Sequence, residues 1–403
     1  MVKTMKKILI ISGVFPPEPV TSANMNYDLA EKLAKEHDVT VIIPHPSRPI
    51  SRDYSRYKHP QYPFKLVVVD SYTHPKSSIK GRMKESISFS QKALEYVESS
   101  GEKFDFVYNS AWQYWGYYLV AKYCVKNQIP YIVPIQDIYP ESLLTKLSFP
   151  SFIKNIIKKI LIGRDIYYQK MATSVRTITN DMADYLSSTR GVDRNKYLVV
   201  ANWQNDDEFA NVIEKPIGEK RIITFLGNIA RQANVDLIIR AFAKANVSNA
   251  ELRIMGGGPA KEECVALAKE LKVDNILFEE VPNGKVAEVQ SQADILILAL
   301  KTGTGKLGLP SKLVSYMQSG KPVIASLELD SATAHIIEEA QCGKCVEADE
   351  EVQLAELIKE MAAKPAEELL LMGRNSRQYA IQNLTKKSNL QKVVDRINEI
   401  LNK

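Results

Sequence analysis

Several signatures of common chemistries are missing from this 403-residue chain. It has no HExxH, and its five histidines (His37, His45, His59, His74 and His335) show no ligand spacing, so no zinc centre is expected. It has no DxD, so helix ends and Arg or Lys, rather than a metal, are expected to neutralise any bound phosphate. Its Gly256-Gly257-Gly258 turn lacks the third glycine of GxGxxG and is no dinucleotide fingerprint, which makes hydride transfer on a dinucleotide the least expected activity. GTGK at 303–306 looks like the end of a triphosphate loop, but GxxxxGK needs a glycine where Leu300 stands. No hydrophobic run approaches the length of a membrane span. Cysteine is scarce, at four residues, which fits a reducing cytosol. Cys342 and Cys345 form a CxxC without a second pair, between a helix-like stretch and a strand-like VEA, and read as a structural turn.

What is present is the composition of an ordinary globular protein, 45% hydrophobic and 25% charged, at a length comfortable for two domains. The net charge of +6 hides an asymmetry: residues 1–200 carry 28 Lys+Arg against 18 Asp+Glu, and the remainder 25 against 29. A basic first half suggests an anionic partner, either a phosphorylated ligand or an anionic membrane face. Nucleic acid is not expected without a recognisable binding module. The start, MVKTMKKILIISGVFPPEP, has lysines before an apolar run but stops at Pro16-Pro17 with no small-residue cleavage pattern. It reads as a buried first strand rather than a signal peptide. The expected location is cytoplasmic, at the inner face of the plasma membrane where the protein touches one.

Short apolar runs alternate with longer amphipathic ones. KILIIS, VTVII, KLVVVD, FDFVYN, PYIVPI and TSVRTI read as strands, and RIITFLG, AELRIMG, ILFEE, ADILILAL, KPVIAS and KCVEA follow after residue 200. The stretches between them, such as NYDLAEKLAKE and VDLIIRAFAKA, have helical spacing. This alternation predicts βαβ units, hence an α/β fold of two doubly wound, Rossmann-like domains with ligands at the carboxyl ends of the strands. The polar stretch 200–220 is the expected linker. The expected division is 1–200, 201–385 and a last helix, 386–403, packing back on the first domain. FPSFIKNIIKKILIGRDIYYQKM at 149–171 reads as a basic amphipathic helix, with Phe152, Ile153, Ile156, Ile157, Ile160 and Leu161 at helical spacing beside Lys154, Lys158 and Lys159. Its apolar face would serve equally as a core face or as a membrane face.

Three strand-to-helix turns suit an anion. The first, after KILIIS, offers Ser22 and Asn24, which helix capping explains as well. The second is FLGNIARQANVDLIIRAF with Gly227, Asn228 and Arg231, followed by the Gly256-Gly257-Gly258 turn before Pro259. In the third, KTGTGKLGLPSKL, Gly305 and Gly308 loosen the loop, Pro310 starts a helix, and Lys306 and Lys312 flank it. A diphosphate there would meet backbone donors, the helix dipole and two cations, although lysines on a loop are also commonly just solvated. Asp137 is either a strand-end cap or a reactive carboxylate. Trp112, Tyr114 and Trp115, just after a strand end, either stack on a sugar or pack.

In this order, KILIISGVFPPEP, IQDIYPESL at 135–143, VVANW at 199–203, FLGNIARQANVDLIIRAF, the GGGP turn and GLPSKLVSYMQSGKPVIAS make the chain resemble a GT-B glycosyltransferase of the large retaining family four. The likeness covers roughly residues 6–385 and is nearest to the polysaccharide and O-antigen branch. It implies two Rossmann-like domains facing across a cleft, and transfer of a sugar from a nucleotide-diphosphate donor, a UDP-sugar above all, to a lipid-linked or oligosaccharide acceptor. No cofactor and no metal are implied. By resemblance Gly227, Asn228, Arg231 and Gly257 contact the donor, with Lys306, Pro310, Ser311, Lys312 and Ser315 on the loop and helix that follow. The Ser12–Gly13 loop would meet the donor diphosphate from the other domain. Asp137 falls at the family's active-site polar position and is assigned catalysis; Glu141 and Trp112 are assigned to the acceptor.

Two departures from the family pattern stand out. Its E-x7-E glutamates should fall at 307 and 315, where this chain has Leu307 and Ser315. The glycine pair of the first loop is replaced by Pro19-Val20-Thr21-Ser22. These departures keep a binding protein that has lost catalysis in contention, against which the PSK lysine and the Asp137 motif argue. A nucleotide-sugar epimerase or hydrolase of the same layout would need a carboxylate or histidine cluster that the sequence does not display.

Overall fold

The computed structural model describes residues 5–403 apart from 50, 75–77, 113, 146–148, 204, 283, 304, 305 and 307. The chain forms two compact units. The first comprises residues 1–204 together with 389–403, and the second residues 205–388.

The first unit is a parallel sheet of seven strands: β1 (Lys7–Ser12), β2 (Asp38–Pro44), β3 (Lys65–Val69), β4 (Phe106–Ser110), β5 (Tyr131–Pro134), β6 (Ser174–Thr177) and β7 (Tyr197–Val199). Their order is β3-β2-β1-β4-β5-β6-β7, so the strand order reverses between β1 and β4. The inner strands are apolar on both faces because helices cover both: Ile8, Leu9, Ile10 and Ile11 are all fully buried. The last helix, Lys386–Leu401, carries Val393, Val394 and Ile397 into this core, and the His37 ring lies 3.0 Å from the Asn398 side-chain oxygen. Trp203 of the VVANW segment is buried in the same unit, with its indole N–H donating to Asp28 at 3.0 Å. β7 was not expected, being three residues long with little periodicity to reveal it.

The second unit repeats the design with β8 (Arg221–Leu226), β9 (Ala250–Met255), β10 (Ile276–Glu279), β11 (Ile295–Ala299), β12 (Val323–Ser326) and β13 (Gly343–Val346). Their order, β10-β9-β8-β11-β12-β13, reverses between β8 and β11. In parallel α/β sheets the loops beyond the carboxyl ends at such a reversal form a natural ligand crevice. Here they are the loops after Leu226 and after Ala299, the two turns the sequence singles out. Cys345 lies in β13 with Cys342 just ahead of it, and burial pushes both thiols up, to about 12 and about 11.

Candidate functional site

In the second unit, β8 runs into Gly227, whose φ is +145°. A side chain there would be strained, and its Cβ would lie 2.3 Å from Cε of Lys312. The neighbouring turn is equally tight: a Cβ on Gly256, with φ +132°, would sit 2.4 Å from the Gly227 carbonyl oxygen. The close approach therefore requires Gly256, whereas Gly257 has only ordinary contacts and gives its carbonyl to the Ile229 N–H at 2.8 Å.

Lys312 sits in the first turn of the helix Ser311–Gln318. Its stem crosses the Phe225 ring, with Nζ 4.4 Å from the centroid, and Nζ donates to the Asn228 carbonyl at 3.3 Å. Burial alone pushes its ammonium down to about 8. A half-buried lysine with a single long hydrogen bond to a neutral partner gains most from an incoming anion. The helix start adds to this, because its N-cap, Pro310, has no side-chain cap bond and its first N–H groups are left to a ligand or water. By contrast, the nearby helix Ala332–Glu339 is capped by the Ser331 hydroxyl.

What holds the helix Ser311–Gln318 in place was not legible beforehand. The buried Tyr316 hydroxyl accepts from the Leu226 N–H at 2.8 Å and donates back to the Leu226 carbonyl at 3.1 Å, tying the helix to the end of β8. Asp349 ties the other two loops together. One carboxylate oxygen accepts from Asn234 at 2.7 Å, and the other from the Thr302 N–H and hydroxyl at 3.1 and 2.8 Å.

The remaining expected donor residues differ in how they are held. Asn228 and Arg231 are exposed, and the Arg231 guanidinium lies 3.9 Å from Glu263. Ser311 is exposed at the helix start. Lys306 is ion-paired with Asp330. Ser315 is buried: its hydroxyl donates to the Lys312 carbonyl at 2.9 Å and accepts from Gln290 at 3.1 Å, so it is engaged inside the unit. Gly305 and Leu307 lie outside the described residues.

The first unit places Ser12, Gly13 and Trp112 together at its own strand-order reversal; the polar groups of Ser12 and Gly13 are engaged, whereas the buried Trp112 indole N–H has no hydrogen-bond partner among the described residues. The Ser12 hydroxyl donates to the Val14 carbonyl and accepts from Asn26 at 2.7 Å, and the Gly13 N–H donates to Ser110 at 3.0 Å. The Trp112 indole lies against Gly13, where a Cβ would come within 3.1 Å of the ring. The Arg48 and Arg82 guanidinium groups are 4.5 and 5.5 Å from its centroid. A sugar-stacking role for Trp112 would have to displace one of these neighbours. Neither Ser22 nor Asn24 caps the helix Thr21–Leu33; its N-cap is Val20, and Ser22 donates instead to Gln136 at 2.8 Å.

Asp137 is exposed after β5, with one carboxylate oxygen accepting from the Ile138 N–H at 3.0 Å. Glu141 is engaged differently from the expectation. It accepts two hydrogen bonds from Arg190, at 3.0 and 2.7 Å, one from Tyr185, and has Lys158 at 3.1 Å. Burial opposes its charge, but the Arg190 hydrogen bonds and field more than offset this, and its pKa falls to about 2. Arg190 also pairs with the buried Asp165 at 2.5 Å and donates to the Tyr139 carbonyl at 2.7 Å. Glu141 thus fixes the Asp137 loop rather than offering a free carboxylate. Among the described residues, no group of three or more His, Cys, Asp or Glu could hold a metal ion.

Comparison with known proteins bears on family and fold. Residues 22–208 match the family described as Glycosyltransferase Family 4, and residues 205–387 match Glycosyl transferases group 1. A curated relative, the probable glycosyltransferase WbjE of Pseudomonas aeruginosa, is 23% identical over 275 residues, 65% of this chain and 66% of that protein, just under two thirds of its length. Among solved structures, HepE of Anabaena in complex with UDP superposes with a TM-score of 0.68 at 12% identity, covering 98% of this chain and all of HepE. WaaG, a glycosyltransferase involved in lipopolysaccharide biosynthesis, gives 0.61 at 16% identity, covering 97% of this chain and 99% of WaaG. The chain has the two-domain GT-B fold, with a Glycosyltransferase Family 4 domain in its first half and a Glycosyl transferases group 1 domain in its second.

Proposed function

We propose that this protein is a retaining, metal-independent glycosyltransferase that takes a sugar from a nucleotide-diphosphate donor, a UDP-sugar, and passes it to a lipid-linked or oligosaccharide acceptor in surface polysaccharide synthesis. The observation that carries the donor half is Lys312: a half-buried ammonium beside an uncapped helix start, at the strand-order reversal of a doubly wound sheet. HepE, which shares the fold, was solved with UDP and with UDP-glucose, which supports UDP as the nucleotide.

In the reaction the bond from the anomeric carbon to the diphosphate oxygen breaks, and the acceptor oxygen bonds to that carbon on the same face. The acceptor proton ends on the departing diphosphate. Lys312, Arg231 and the Ser311 helix start hold the negative charge that develops there, and Asp137 orients the acceptor hydroxyl. Losing one well-aimed charge-stabilising group commonly costs about a hundredfold or more in rate. A thermal-shift screen with UDP, GDP, ADP and CMP, with and without EDTA, tests the donor half. Stabilisation by UDP that survives EDTA supports it; no stabilisation by any nucleotide sinks it and leaves a GT-B binding protein without a donor.

We also place the protein on the anionic inner face of the plasma membrane through the helix Ser151–Met171. Its Phe152, Ile156 and Ile160, one helical turn apart, are 66%, 55% and 67% exposed, so this stripe is not a core face. Lys159 and Lys170, both exposed, flank it on a unit with a surplus of basic residues. Among the described residues no helix is long and apolar enough to cross a membrane, so the contact is peripheral.

A further inference from the structure

At the amino ends of the second sheet's strands, where β11 and β12 begin, a cavity of about 320 Å³ opens. Its size is at the lower end for small-molecule pockets. Ile217 and Leu369 wall it, and Ile213 and Ile381, both exposed, stand at its rim. The feature that makes it more than an apolar dent is Lys321, which lines the cavity just ahead of β12 and is only 7% exposed. Among the described residues Lys321 makes no hydrogen bond and no ion pair within 4.0 Å. Burial pushes its ammonium down, with Asp294 the main opposing influence.

The other charged groups of the wall are already engaged. Arg374 forks Glu214 at 2.8 and 2.9 Å. Arg377 donates to the Phe209 carbonyl at 2.5 Å and also holds the Gln318 carbonyl. Asp294 is buried and gives one oxygen to the Ile222 N–H at 2.8 Å. A buried ammonium beside apolar walls, with Asp294 near but forming no ion pair with it, gains from an incoming anion. Asp294 in the same wall limits that anion to a single charge, since a dianionic phosphate would be repelled by its carboxylate.

We propose that this cavity binds an apolar-bodied monocarboxylate, with its hydrocarbon frame against Ile217, Leu369 and Ile381 and its carboxylate paired with Lys321. The site lies at the opposite end of the strands from the loops after Leu226 and Ala299 and stands whether or not those loops bind UDP. The probes are octanoate and octan-1-ol, titrated by calorimetry into the full chain, Lys321→Met and Ile381→Trp, with circular dichroism confirming that each variant is folded. The site predicts that Lys321→Met weakens octanoate at least tenfold while leaving octanol unchanged, and that Ile381→Trp weakens both by crowding the mouth. Octanoate binding equally well to the parent and Lys321→Met, or not binding the parent at millimolar concentration, overturns the proposal.

Discussion

Gly227 and Lys312 occupy one shared space: a Cβ on the glycine would lie 2.3 Å from Cε of the lysine, and the lysine in turn donates to the next residue's carbonyl at 3.3 Å. The end of β8 and the start of the helix Ser311–Gln318 are therefore packed as one structural unit.

Gly227→Ala is predicted to act as a Lys312 mutation at a distance. The methyl group displaces the lysine stem, and the backbone at φ +145° resists any side chain. We expect UDP affinity to fall at least tenfold, with a stability loss of about 1–3 kcal/mol. Calorimetry and thermal melts of the variant check both, and parent-like UDP binding would show that the Lys312 position does not matter.

The pH dependence of donor binding follows from the lowered Lys312 pKa. The bound diphosphate prefers the ammonium, so UDP affinity should weaken as pH rises through about 8, toward tenfold per pH unit. In the ligand-free protein the unfolded chain holds this proton more tightly. The resulting stability penalty is full below about 8 and fades as pH climbs to 10.5. Binding curves from pH 7 to 9.5 should therefore slope for the parent and stay flat for Lys312→Met.

Arg190→Met should destabilise the first unit by about 3–5 kcal/mol, because it strands the carboxylates of Asp165 and Glu141. Denaturant titration measures this. Glu141→Gln should remove a contribution that is present above pH 4.5 and lost as pH falls toward about 2, so acid unfolding of the variant should be less steep in that window. An unchanged acid transition would show that the Arg190 pair does not hold the Asp137 loop.

Replacing both Ile156 and Ile160 with glutamate should leave the melting temperature nearly unchanged, since both side chains are exposed. Sedimentation with phosphatidylserine-containing vesicles should lose at least tenfold in the bound fraction. Equal sedimentation of parent and variant would remove the membrane from the account.

The fold was largely legible because buried parallel strands read as apolar runs and their helices as 3.6-residue patterns. The helix Ser151–Met171 shows the limit of that signal: periodicity locates an apolar face, and only the structure shows that Phe152, Ile156 and Ile160 face outward. Gly227 and Lys312, singled out separately in the sequence, are brought into contact where β8 ends and the helix Ser311–Gln318 begins. The site was not legible where polar groups meet across long separations. Arg190 reaches Glu141 49 residues away, Tyr316 reaches Leu226 90 residues away, and Asp349 bridges Asn234 to Thr302. Nothing in local spacing marks those partners. For the same reason the sequence, which by resemblance assigns Glu141 to the acceptor, does not reveal that Arg190 and Lys158 hold its carboxylate.

On the proposed function, the second unit recognises a diphosphate through Lys312. Calorimetric titration of UDP and of uridine into the parent and Lys312→Met at pH 7 tests it most directly. The account predicts that UDP binds the parent at least a hundredfold more tightly than uridine does, and that the gap shrinks at least tenfold in Lys312→Met. Equal binding of UDP and uridine to the parent, or an undiminished gap in the variant, would contradict it.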